Sequence, residues 1–127
     1  MLKQLIFLAA LLWTGIVLTL CLVQSNSLPV VKIVNLDKYV HAFFHFVFTS
    51  LWFLFFIGST QNKNIFRPLL IAFMLSVFFG IIIEILQGLY TTTRREDILD
   101  VAANVFGATL AVFTIVIYYR TRHLDKK

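Results

Sequence analysis

Four long apolar runs, parted by short polar breaks, organise the chain. They cover residues 5–24, 39–58, 68–90 and 98–119. Each is close to the roughly 20 residues that a helix needs to cross a bilayer. The pattern predicts an all-α, polytopic membrane protein: one four-helix transmembrane bundle filling a single domain over residues 1–127. Pro68 opens the third run, and a first helical turn has no use for the N–H that proline lacks. The breaks "SNSLP" and "GSTQNKN" carry the turn formers. The first run reads as a retained helix, because it is longer than a signal-peptide core and shows no small-x-small cleavage site. "LTLC" lacks the small residue that a lipoprotein site needs before its cysteine, since Leu20 stands there. No internal repeat or low-complexity tract is present.

Polar positions cross these runs at helical spacing. Asp37, His41, His45 and Thr49 recur every four residues in the second run. Glu84 and Gln87 share a face with Ser76 and Gly80 in the third. In the fourth, Asp97, Asp100, Asn104, Gly107 and Ala111 follow steps of three or four. Such spacings place side chains on one helix face. At about 1.5 Å per residue, His41, Gln87 and Asp100 lie roughly 3–5 Å inside their spans, and His45, Glu84 and Asn104 roughly 9 Å. The three helices alternate in direction, so these depths match at one surface and predict a polar pocket there, leaving the opposite halves of the spans nearly free of such groups. Two small-xxx-small pairs, Ser76 with Gly80 and Gly107 with Ala111, predict close packing of the third and fourth helices. That packing would bring Glu84 towards Asn104.

Composition strengthens the membrane reading. Hydrophobic residues make up 60% of the chain and charged residues 13%, against about half and a quarter in soluble domains. The net charge of +5 does not point to nucleic acid, because basic residues in membrane proteins gather in cytoplasmic loops. Lys3, Lys63, Arg67, Arg120, Arg122, Lys126 and Lys127 fall on one side of the predicted spans. Lys32, Lys38, Arg94 and Arg95 fall on the other, among Asp37, Glu96 and Asp97. Both termini are therefore expected in the cytoplasm, with the motif loops facing outward from the cytoplasmic membrane. Cys21 is the single cysteine, so an intramolecular disulfide is excluded.

Ionisable residues inside spans face the bundle interior and are candidates for function. Asp37, Lys38, His41, His45, Glu84, Gln87, Arg94, Asp97, Asp100 and Asn104 make up the expected pocket. Lys38 and Arg94 at its rim suit an anionic group, since arginine pairs well with phosphate or carboxylate. The expected ligand is a phospholipid headgroup, a lipid-linked cell-wall precursor or an acylated antibiotic. An enzyme acting on the same class of substrate is the alternative. Glu84, His41 and Asp100 are its catalytic candidates, because a carboxyl taken out of water beside an imidazole can move protons. Asp97 or Asp100 would orient the ring or hold a divalent cation with Glu84. No metal is assigned, and the cofactor and oligomeric state stay open. "HAFFH" at His41–His45 has two-ligand spacing but lacks the glutamate of the H-E-x-x-H motif. Thr49 and Ser76 are the hydroxyls on the marked faces, and Ser76 lies far inward, so no nucleophile stands out. A third reading makes the cluster an internal salt-bridge core, with Arg94 and Lys38 as partners of Glu84. Arg95 and Glu96 read as solvated loop, and the basic tail as a membrane anchor.

"DKYVH" at Asp37–His41, "EILQ" at Glu84–Gln87 and "RREDILDVAANVFG" at Arg94–Gly107 together resemble the motifs of VanZ-like membrane proteins. That family's pattern reads D-K-x-x-H, then E-x-x-Q, then R-x-x-D-x-x-D-x-x-x-N-x-x-G. Arg94, Asp97, Asp100, Asn104 and Gly107 match its last part in register. His45 departs from it, standing where the family often has tyrosine. The resemblance runs from Asp37 to about Ala111 and implies a small integral membrane protein of the bacterial envelope. The family takes its name from a member tied to teicoplanin resistance, which is not carried over as the task of this chain.

Overall fold

The computed structural model describes residues 1–23, 35–60, 64–91 and 97–124. Within them the chain forms α1 (Leu2–Leu22), α2 (Leu36–Ser59), α3 (Phe66–Tyr90) and α4 (Ile98–Leu124). All four are long and apolar enough to cross a membrane. A helix satisfies its own backbone hydrogen bonds, which is what allows a chain to cross hydrocarbon. Several hydroxyls in the spans are satisfied the same way. Thr14, Ser50, Thr109 and Thr114 each donate to the carbonyl four residues earlier, at 2.7–2.8 Å. Large apolar side chains such as Phe78, Leu89 and Phe113 point outward, as lipid contact requires.

α2 starts three residues earlier than the apolar run suggests. Asn35 takes a left-handed conformation at φ 57°, which asparagine tolerates better than most residues. Its carbonyl accepts from the N–H groups of Lys38 and Tyr39. Asp37 and Lys38 therefore belong to the first turn of the helix and continue the stripe of His41, His45 and Thr49.

The pairing of α2 with α4 is the most extensive in the bundle. α3 packs against both, and α1 lies on α2 and, more lightly, on α3 without touching α4. Gly107 of α4 explains this and corrects the expectation that it serves α3. A Cβ on Gly107 would run into the backbone carbonyl of Ala42 on α2, so the closest backbone approach is between α2 and α4. Gly80 of α3 does face α4, as its spacing predicts: it makes room for Asn104, and for His45 of α2. Two apolar clusters hold the ends. Val17, Cys21 and Ile83 pack with Trp13 and Phe79. Phe53, Leu69 and Ala72 pack with Trp52 and Tyr119. Phe48 and Phe79 stack between α2 and α3 at 4.8 Å.

Candidate functional site

The polar faces of α2, α3 and α4 meet at the end of the bundle where α2 and α4 begin. Each helix contributes through its own register. α2 supplies Lys38, His41 and His45, α3 supplies Glu84, and α4 supplies Asp100 and Asn104. His41, His45, Glu84, Asp100 and Asn104 are all buried, so the apolar bundle encloses a polar seam.

Lys38 forms the rim. Its ammonium contacts Asp97 at 3.0 Å and Asp37 and Asp100 at 3.1 Å each. A lysine has three N–H donors, and here each one meets a carboxylate. This differs from the expected role of Lys38 as a receptor for an anion, since an incoming anion would have to displace an aspartate. Nor does Lys38 pair with Glu84. Arg94, the other expected rim cation, lies outside the described residues.

Asp97 precedes α4 and caps it: one carboxylate oxygen accepts the Leu99 N–H at 2.8 Å, the usual N-cap arrangement. That bond, together with the Lys38 ammonium, holds the Asp97 carboxyl below the ordinary carboxylate range. Its backbone N–H donates to Glu84 Oε2 at 3.1 Å. This backbone contact fixes one oxygen of Glu84 and has no side-chain signature in the sequence.

The centre is formed by His41, Glu84, Asp100 and Asn104. His41 Nδ1–H donates to Asn104 Oδ1 at 2.9 Å. Glu84 Oε1 stands 3.8 Å from Nδ1, and Asp100 Oδ2 stands 4.0 Å from Nε2. Glu84 Oε1 has no hydrogen-bond partner. The carboxylate that the sequence left seeking a partner thus meets an imidazole and a backbone N–H.

One turn further in, His45 Nδ1 shares a 2.8 Å hydrogen bond with Ser76 Oγ. The polar seam therefore runs deeper than the expected pocket, through Ser76 to the buried Thr49. Ser76 beside a histidine has the makeup of a nucleophile–base pair, but it is fully buried, away from any substrate. Gln87 leaves the cluster altogether. Its amide donates to the Cys21 carbonyl in the last turn of α1 at 2.8 Å.

A cleft of about 460 Å³ opens between α3 and α4 beside this seam. Ile81, Ile85 and Leu89 face Ile98 and Val101 across it, with Gly88 between, and Glu84 and Asp97 supply its polar lining. Its walls are apolar and the polar groups among its described residues are carboxylate acceptors, which suits a molecule with a hydrocarbon part and a hydrogen-bond-donating end. No protein-family model, curated protein or solved structure matches the chain.

Proposed function

We propose that this chain is a VanZ-like, multi-pass protein of the bacterial cytoplasmic membrane. In this reading it takes the polar end of a membrane amphiphile, a lipid or lipid-linked envelope precursor, into the cleft between α3 and α4. An acylated antibiotic belongs to the same chemical class. The ordered motifs from Asp37 to Gly107 support the family, and seven basic residues against four support cytoplasmic termini and an outward-facing site. The observation that carries the function is the cleft itself: apolar walls that end on Glu84 and Asp97. With the Lys38 ammonium fully engaged, the described side chains offer acceptors to the headgroup, so hydroxyl or ammonium groups are the favoured contacts.

Native mass spectrometry of the detergent-purified protein tests this. The wild type should hold an amphiphile through detergent exchange. Val101→Trp, which fills the cleft from one wall, should release it without lowering the melting temperature. Equal retention by both proteins would remove the cleft from consideration.

A second reading, acid–base catalysis on the same substrates, is favoured by the 3.8 Å approach of Glu84 to His41. Here the purified protein should convert a lipid-linked substrate, and Glu84→Gln should abolish product while the fold persists. Loss of fold in that variant with no turnover by the wild type would favour a purely structural cluster.

A further inference from the structure

We propose that His41, Glu84 and Asp100 form a binding site for one first-row divalent cation of the zinc class. One ring nitrogen of His41 and one carboxylate oxygen each from Glu84 and Asp100 lie within 4.8 Å of one another, and all three residues are buried. They come from three different helices, so the bundle rather than a single turn assembles the set. The HAFFH pair has no part in this pairing, because His45 turns to Ser76.

The support around each ligand is the strongest part of the case. Asn104 Oδ1 accepts the proton of His41 Nδ1, which leaves the lone pair of a neutral ring on Nε2. A metal-binding histidine is usually oriented in this way, by donating its other N–H to an oxygen. Glu84 Oε2 is tied to the Asp97 N–H, and Asp100 Oδ1 to Lys38. In both carboxylates the second oxygen faces the imidazole, Asp100 Oδ2 nearest Nε2 and Glu84 Oε1 nearest Nδ1. Glu84 Oε1 is buried and without a hydrogen-bond partner, although a buried carboxylate oxygen ordinarily has one.

The spacing separates an ion site from a closed ion triad. Charge-assisted hydrogen bonds from an imidazolium would be about 2.7–2.9 Å long. The contacts here are 3.8 and 4.0 Å. Ligand atoms that each stand about 2.0–2.2 Å from a shared ion lie up to roughly 4.4 Å apart, a range that holds the 4.0 Å between Asp100 Oδ2 and Nε2; Glu84 Oε1, 3.8 Å from the other ring nitrogen, joins the set by a side-chain movement. The charge balance agrees. Among the described residues, the Lys38 ammonium is shared by Asp37, Asp97 and Asp100, and Glu84 adds a fourth carboxylate beside Asp100 with no ammonium of its own. One imidazole nitrogen and two carboxylate oxygens suit zinc or manganese better than calcium, which prefers an all-oxygen shell. Three protein ligands leave a coordination position for water or a ligand. A bound ion would let this acceptor-rich site receive a phosphate, but its binding does not depend on the amphiphile reading.

The test uses tag-free, full-length protein in detergent, stripped with a chelator and then equilibrated with zinc or manganese. After desalting, the wild type should retain about one equivalent of metal per chain, and loading should raise its melting temperature. Glu84→Gln and Asp100→Asn should each lose both effects. Asn104→Ala, which releases the ring, should weaken affinity roughly tenfold or more. Wild-type retention below about a tenth of an equivalent for both metals would overturn the site, as would unchanged loading of the Glu84→Gln/Asp100→Asn double variant. If that variant does not fold, wild-type protein loaded with cobalt decides. Visible absorption bands that zinc displaces support the site, and their absence overturns it.

Discussion

Gly107→Ala should weaken the fold by about 1–3 kcal/mol, the usual range for forcing extra atoms into a packed interior, and Gly107→Leu by more. An alanine Cβ would overlap the Ala42 carbonyl oxygen and fall 2.7 Å from its carbon. These are backbone atoms, so no rotamer change relieves the overlap and the helices themselves must separate. The glycine hydrogen that a Cβ would replace points at that carbonyl, a weak Cα–H···O contact that recurs where helices cross closely. Lys38 lies one turn before Ala42 and His41 directly before it, and Asn104 lies one turn before Gly107. A shift of α4 therefore also pulls Asn104 and Asp100 away from the residues they contact. Thermal or denaturant unfolding in detergent checks this. Gly15→Ala and Gly58→Ala are the controls: a Cβ there meets nothing within 4 Å, and alanine's better helix propensity should leave stability equal or slightly higher.

Lys38→Met should be the most damaging change among the charged residues. It keeps an unbranched side chain, one atom shorter, but removes the ammonium that Asp37, Asp97 and Asp100 share. Stripping one partner from a fully buried pair costs about 3–5 kcal/mol, and an exposed pair is worth about 1 kcal/mol or less. Lys38 is 22% exposed and Asp100 11%, which places the expected loss between these limits, at about 1–2 kcal/mol. The diagnostic is recovery. Asp100→Asn in the Lys38→Met background should restore part of the loss, whereas Asp100→Asn alone should destabilise, a coupling that a double-mutant cycle reads directly. Acidification should narrow the gap between wild type and Lys38→Met. Protonated carboxyls no longer repel in the variant, and in the wild type they no longer pair with the ammonium. Additive effects with no pH dependence would show that Lys38 acts through its hydrocarbon stem.

The helices were legible because hydrocarbon imposes a simple rule. Each span is apolar on nearly every face, so the run lengths alone locate α1 to α4 to within a few residues. Polar spacing was equally readable on α2 and α4, where steps of three and four residues bring His41, Asp100 and Asn104 to one face. What it could not supply was which polar groups pair. Lys38 was expected to meet an anion from outside and is engaged by three aspartates. Gln87 shares a face with Glu84 in the sequence, yet it bonds to the end of α1, because a backbone carbonyl leaves no mark in the pattern of side chains. The backbone N–H of Asp97 escaped notice for the same reason. Ser76 was placed far inward, and it is the partner of His45. The glycine on α4 marked a close approach correctly but not its direction, since small-xxx-small spacing does not say which neighbour fills the gap.

The contacts of Lys38 also set an order on biogenesis. Its aspartate partners on the α4 side stand 59 and 62 residues further along the chain. During synthesis α2 is therefore made before Asp97 and Asp100 exist. Over that interval it carries an ammonium and two histidines at the edge of the hydrocarbon, and each polar group held there is costly. Only when the last helix arrives does the Lys38 ammonium gain two of its three carboxylate partners, so α4 completes the rim that α2 begins.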